Sequence, residues 1–312
     1  MNKHLFSYAI GFVVLLFILT RIDIPATVQI IASANVLFVI FAALLSFPLL
    51  AIEAFRWHYI LDRLGIKSSF THTFSMYAAS LYIGFITPAR LGEFVRVLYL
   101  RAHKIGSVFF SVFFDRIYDI FFLMLVGYFG MFFFVSDLKL QIFWFSIALA
   151  GMLVICAVAY FRQDLVRKIL TIFFHRLVPE KFKVDLKSAF FDFHESFKKF
   201  INVRDLSVLF FVTLAAWILY YVQVYVLAKS LSINISFVQM ATVMSIASLL
   251  SVLPISISGI GTRDAAFVFF FAVLGIPSEY AVALSAMVLF LLVFFAACCL
   301  PFWLKKPVEF NF

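Results

Sequence analysis

The sequence predicts an all-α, polytopic integral membrane protein, and three observations carry that prediction. Apolar residues make up 65% of the 312-residue chain and charged residues 13%, whereas soluble domains run at about 45–50% and about 25%. With a mean hydropathy of +1.10, no water-soluble fold could cover the apolar surface, so the bilayer is the solvent. The apolar residues also fall in runs that suit crossings of about 20 residues each. Finally, two runs break at Pro and Gly beside charges, at Gly84–Arg96 (GFITPARLGEFVR) and Pro254–Asp264 (PISISGIGTRD). The expected architecture is about six full spans plus two re-entrant broken helices in an inverted repeat. If both breaks cross fully instead, there are about eight transmembrane segments or more. One transmembrane domain occupies 1–312.

Leu5–Leu19 is apolar, with Lys3 before it and Arg21 and Asp23 after it. A cleaved signal is the rival reading, but Ala32-Ser33-Ala34 lies beyond two charges and Pro25, too far from the apolar run for a cleavage site. Ala34–Ile52 is the second span, with Pro48 as a tolerable kink. Glu53–Lys67, with Arg56, Arg63 and Lys67, reads as a polar connection.

Phe70–Thr87 is rich in small and hydroxyl residues, which suits a segment buried among helices. Pro88 fits the first turn of a following helix. On that helix Arg90, Glu93 and Arg96 are three apart and Glu93 can bridge to either Arg. Val108–Val135 carries Asp115, Arg116 and Asp119 at spacings that share one polar face, turned to the protein interior. The spacing permits Asp115 or Asp119 to pair with Arg90 or Arg96. Ser136–Gln141 is a turn and Ile142–Phe161 a clean span.

Residues 162–205 form the one sizeable polar segment, with ten Lys or Arg and six Asp or Glu. Leu165, Ile169, Ile172, Phe173, Phe190, Phe193 and Phe197 recur at helical spacing, so the segment reads as basic amphipathic helices on the cytoplasmic membrane surface or as a solvated connector. Leu206–Ala228 is a span. Phe237–Leu253 is hydroxyl-rich like its earlier counterpart, Pro254 breaks it, and Arg263 and Asp264 open the next helix. Ala281–Leu304 is the last span, closed by Lys305 and Lys306. Placing the Lys/Arg-rich segments inside puts both termini in the cytoplasm and makes the two breaks enter from opposite faces.

Composition also narrows function. The net charge of +9 is explained by cytoplasmic positive bias, and the 45 Phe by lipid-facing and packing bulk, so no nucleic-acid partner is expected. Cys156, Cys298 and Cys299 lie in apolar runs without metal spacing. His194-Glu195 lacks the second His of a zinc-protease helix. There is no P-loop, and Gly259-Ile-Gly261 lacks the βαβ unit of a dinucleotide site. No metal or cofactor is expected, and no enzymatic activity.

The two breaks carry a resemblance. TPARLGEFVRVLYL (Thr87–Leu100) and LPISISGIGTRDAAF (Leu253–Phe267) resemble the paired signatures of the flippase-like membrane domain of lysylphosphatidylglycerol synthases and their stand-alone relatives. The patterns are Pro-x-x-x-Gly-Glu-x-x-Arg and Pro-x-x-x-x-Gly-x-Gly-x-Arg-Asp/Glu. The resemblance runs over nearly the whole chain, and the soluble aminoacyl-transfer domain has no counterpart. It implies lipid handling in the cell membrane without lysyl transfer, on a phospholipid, an isoprenoid phosphate or a glycolipid. It also allows a separate synthase or glycosyltransferase as partner.

A charged head crossing hydrocarbon needs compensating partners. Arg90, Arg96 and Arg263 are the candidate head-group ligands, because guanidinium forks suit phosphate. Glu93, Asp115, Asp119 and Asp264 are the candidate counter-charges or proton carriers. Pro88 and Pro254 break the helices, and Gly92, Gly259 and Gly261 let backbone come close to a ligand. Three readings remain open: a lipid flippase, a membrane partner or regulator of a lipid synthase or glycosyltransferase, and a membrane enzyme acting on lipid phosphate, with Glu93 and Asp264 as acid and base.

Overall fold

The computed structural model describes residues 16–87, 90–134, 139–161, 183–200, 202–253, 256 and 258–305. Among them every regular element is a helix. Pro88, Pro254, most of the first expected span and residues 162–182 of the basic segment lie outside the described residues. The helices are α1 (Ile24–Ala32), α2 (Val36–Arg63), α3 (Phe70–Ile86), a 3-10 turn (Leu91–Val95) with α4 (Arg96–Tyr99), α5 (Ile105–Phe134), α6 (Lys139–Phe161), α7 (Lys183–Phe200), α8 (Val203–Ser230), α9 (Phe237–Val252), α10 (Thr262–Val273) and α11 (Ser278–Lys305). The polytopic all-α membrane class holds: α2, α8 and α11, 28 residues each, are long and apolar enough to cross a membrane.

Side-chain caps set where these helices begin. Asn35 starts α2, Asn202 starts α8, and Ser69 and Ser236 start α3 and α9, each offering a side-chain oxygen to a first-turn N–H. The two serine-capped helices are short, 17 and 16 residues. At 1.5 Å per residue each rises only about 25 Å, less than the hydrocarbon core of about 30 Å. Both then stop at an extended residue, Thr87 or Leu253.

Helix α2 corrects one sequence expectation. Glu53–Lys67 is not a polar connection; the helix runs through Glu53 and Arg56 to Arg63. The reason is a buried stripe, Leu50, Ala54, Trp57 and Leu61, that continues past the charges and packs on α3 and α11. Its apolar contacts hold the helix together across the polar residues. The other faces of α2 and α8 carry exposed Leu37, Phe41, Phe47, Phe55 and Phe211, as lipid-facing surfaces do.

Packing relates the two halves of the chain. Helices α2 and α8 lie against each other, while α3 packs on α11 and α9 packs on α5. Each broken helix therefore leans on the long helix that follows the other break. Close approach of α9 to α5 depends on Gly130: a Cβ there would sit 1.9 Å from Thr242 Oγ1, the small-residue device of membrane helix pairs. The N-terminal part of α5 also packs on α7 through edge-on and tilted phenylalanines, among them Phe110, Phe193 and Phe200.

Candidate functional site

The first break turns the chain back on itself. Thr87 Oγ1 accepts the Gly92 N–H at 2.7 Å, and Arg90 takes the left-handed conformation (φ 55°). A Cβ at Gly92 would lie 2.5 Å from the Ile83 carbonyl oxygen, so the returning chain touches the last turns of α3. This differs from the expected helix over Arg90, Glu93 and Arg96. The stretch is a 3-10 turn followed by a single α turn, and Arg90 stands at its entry with an exposed side chain that makes no ion pair with Glu93.

Glu93 and Arg96 point inward and are almost fully buried. Arg96 Nη2 lies 3.2 Å from Glu93 Oε2 and Nη1 lies 3.1 Å from Asp115 Oδ2. Its guanidinium is also flanked by Trp57 and Tyr77, at 5.0 and 4.7 Å from the ring centroids. Arg56 from α2 completes the cluster: Nε donates to Asp115 Oδ1 at 2.7 Å, and Nη1 and Nη2 donate to Asp119 at 2.6 and 2.9 Å. Arg116 lies 3.2 Å from Glu93, 3.1 Å from Asp115 and 3.3 Å from Asp119. Three arginines and three carboxylates thus form a closed, neutral cluster joining α2, α5 and the first break. Hydrogen bonds from Trp217 to Asp119 and from Arg56 to Thr213 tie in α8. The expected pairing of Asp115 with Arg96 is present. One donor, Arg116 Nε, is buried without a hydrogen-bond partner among the described residues.

The second break is built from hydroxyls and backbone. Gly259 (φ 81°) and Gly261 (φ 85°) take left-handed conformations that favour glycine. Asp264 accepts the Gly261 N–H at 2.8 Å and a short hydrogen bond from Ser285. Arg263, 2% exposed, donates to the Ser285 hydroxyl at 3.1 Å and to its carbonyl at 3.3 Å. Its guanidinium is 3.9 Å from Asp264.

The two breaks meet. Ser258 donates to the Phe85 carbonyl at 2.5 Å, joining the second break to the last turn of α3. Tyr220 of α8 lies within electrostatic reach of Arg90, Arg263 and Glu53. The structure therefore brings all the sequence-chosen charged residues to the region of the two breaks. It gives Arg90 no ion pair among the described residues and ties Arg96, Glu93, Asp115 and Asp119 into the cluster.

Arg56, Glu53, Tyr220 and Ser285 complete the centre, and sequence reading did not select them. Arg56 was discoverable: Leu50, Ala54, Trp57 and Leu61 continue the helical period through it. Ser285 lies in an uninterrupted apolar span and carries no comparable signal. Among the described residues no cluster of His, Cys, Asp or Glu could hold a metal ion.

Comparison with known proteins identifies the family. A UPF0104 membrane protein of Methanocaldococcus jannaschii is 26% identical over 301 residues, covering 92% of this chain and 89% of that one. A UPF0104 membrane protein of Methanothermobacter thermautotrophicus is 26% identical over 274 residues, covering 80% of each. No solved structure matches. The family model described as the lysylphosphatidylglycerol synthase TM region matches residues 4–300, taking in both breaks, α2 and α8, and the chain belongs to that family.

Proposed function

We propose that this protein moves an anionic or phosphate-linked lipid between the leaflets of the cell membrane. The observation that carries the reading is the junction of the two breaks. Two short helices stop, the second irregular segment touches the last turn of the first of these helices through Ser258 and Phe85, and an arginine stands at each break: Arg90 with no ion pair among the described residues and Arg263 held by Ser285. Broken helices meeting within a repeat are how membrane carriers build a site near the midplane. Family membership supports lipid as the substrate class. In this reading the breaks are re-entrant and inverted, as the short lengths of α3 and α9 and the exchanged packing of α3 on α11 and α9 on α5 support. Both termini face the cytoplasm, and the protein makes and breaks no covalent bond.

A second reading, a membrane partner or regulator of a lipid synthase or glycosyltransferase, is favoured by the family description itself, which names a region of a synthase. Reconstitution decides between them. Purified protein in liposomes with fluorescent phosphatidylglycerol and isoprenoid-phosphate analogues should exchange one of them between leaflets. Arg90→Ala should abolish that exchange at unchanged protein level, since among the described residues Arg90 has no side-chain bond whose loss would disturb the fold. Folded wild type that exchanges neither lipid removes the transporter reading in favour of the partner.

A further inference from the structure

Ten charged side chains gather around the two breaks: Arg56, Arg90, Arg96, Arg116 and Arg263 against Glu53, Glu93, Asp115, Asp119 and Asp264. Five positive and five negative charges sum to zero. Eight of the ten are committed. Arg56, Arg96 and Arg116 interlock with Glu93, Asp115 and Asp119, and Arg263 stands with Asp264. Two are left over. Arg90 and Glu53 have no side-chain hydrogen bond and no ion pair within 4.0 Å among the described residues.

Glu53 is unusual in its position. It stands in the interior of the 28-residue span α2, one turn before Arg56, and is half-buried. Its oxygens are not sealed in a void: the buried, partnerless side-chain atoms of the centre do not include them. The groups facing it come from several elements. Asp119 and Arg116 on α5, Arg56 on its own helix and Glu93 at the first break act on it, and it acts on Tyr77 of α3, Tyr220 of α8 and Cys299 of α11. Tyr220, which feels Arg90, Arg263 and Glu53 together, makes no side-chain hydrogen bond among the described residues.

We infer that Arg90 and Glu53 are the exchangeable pair of the centre: Arg90 binds the phosphate of the lipid, and Glu53 takes up one proton from the aqueous phase when it does so. This rests on the lipid-transport reading and adds its coupling. With every one of the ten groups in its charged form, the empty centre sums to zero. A phosphodiester monoanion on Arg90 makes it −1, and a net charge in a low-dielectric interior is costly. Protonating Glu53 restores neutrality. The other carboxylates cannot do this without losing bonds: Asp115 accepts from Arg56, Arg96 and Arg116, Asp119 accepts from Arg56 and Trp217 with Arg116 beside it, Glu93 accepts from Arg96 and Arg116, and Asp264 from Gly261 and Ser285.

The test is binding of a short-chain phosphatidylglycerol to the purified full-length protein, titrated from about pH 5 to about pH 8. A phosphodiester keeps one charge over that range, whereas a phosphate monoester titrates near pH ~6 and would confuse the result. Wild-type affinity should rise as pH falls, by up to about tenfold per unit, with one proton taken up per lipid in weakly buffered solution. Glu53→Gln, which fixes the neutral form, should bind at every pH as the wild type does at low pH. Glu53→Asp should keep a pH dependence, and Arg90→Gln should not bind. Wild-type affinity that is flat in pH, or a Glu53→Gln profile identical to wild type, overturns the role of Glu53 while leaving the lipid reading standing. The proton-uptake measurement needs no variant, so poor folding of Glu53→Gln cannot hide the answer. Folded wild type that binds no lipid at any pH overturns both.

Discussion

The two breaks look alike in sequence and are held in different ways. Each follows a short, serine-capped helix and each supplies an arginine and a carboxylate. The first is fixed by charge: Glu93 and Arg96 join a cluster of three arginines and three carboxylates that reaches α2 and α5. The second is fixed by backbone and hydroxyl groups, with Gly261, Ser285 and Asp264 surrounding Arg263. A densely paired ionic cluster inside a membrane protein is rigid because no member can leave without exposing another charge to a low dielectric. The hydroxyl-bonded break has fewer charges to strand, so it is the less tightly held half.

Breaking the ionic half should have the largest effect. Arg56→Met leaves Asp115 and Asp119 short of their principal donor and should destabilise the protein by about 3–5 kcal/mol, read as a lower midpoint of unfolding in detergent. The cluster is not the keystone if Arg56→Met unfolds with wild type. Breaking the hydroxyl half should cost less. Ser285→Ala takes one hydrogen bond from each of Arg263 and Asp264, a loss of about 1–3 kcal/mol. If its midpoint falls as far as that of Arg56→Met, the contrast between the halves is wrong. Ser258→Ala cuts the bond between the breaks at Phe85 and should lower stability by only about 0.5–1.5 kcal/mol, with a larger change in lipid exchange than in unfolding.

The smallest effect sharpens the contrast from an exposed contact. Lys104 lies 3.6 Å from Asp192 and 3.5 Å from Glu195, and Lys199 lies 2.9 Å from Glu195, all at the exposed contact of α7 with the start of α5. The hydrogen bond from Lys199, with the charge of Lys104, holds the Glu195 carboxyl below its usual range. Its contribution is therefore present above the ordinary carboxylate pKa and is lost as pH falls through the lowered folded value. Because these groups are solvated, Glu195→Gln should leave the unfolding midpoint unchanged within error at neutral pH.

Much of this was legible in the chain. The apolar runs fix the membrane class, since hydropathy adds up locally over each span. The Pro and Gly punctuation located both breaks, because backbone conformation at Gly259 and Gly261 is a local property. Arg90 was legible as a charge in the first break but not as the unpaired one. Its expected place on a helix beside Glu93 failed because the hydrogen bond from Gly92 to Thr87 and contact with Ile83 turned the chain into a 3-10 hairpin instead. Glu53–Lys67 was misread as a connector because charge there outweighed the apolar stripe that carries the helix through it.

The sequence by itself determined that the protein lives in the membrane, that two helices break, and which charges stand at the breaks. Only the tertiary structure decided which charges pair. Arg56 reaches Asp115 across 59 positions and Thr213 across 157, and Ser258 reaches Phe85 across 173. Helix periodicity acts over a few turns, whereas an ion pair depends on where distant helices come to lie. That placement singles out Glu53 and Arg90, two residues whose lack of partners among the described residues becomes visible only when every other charge in the centre has been matched.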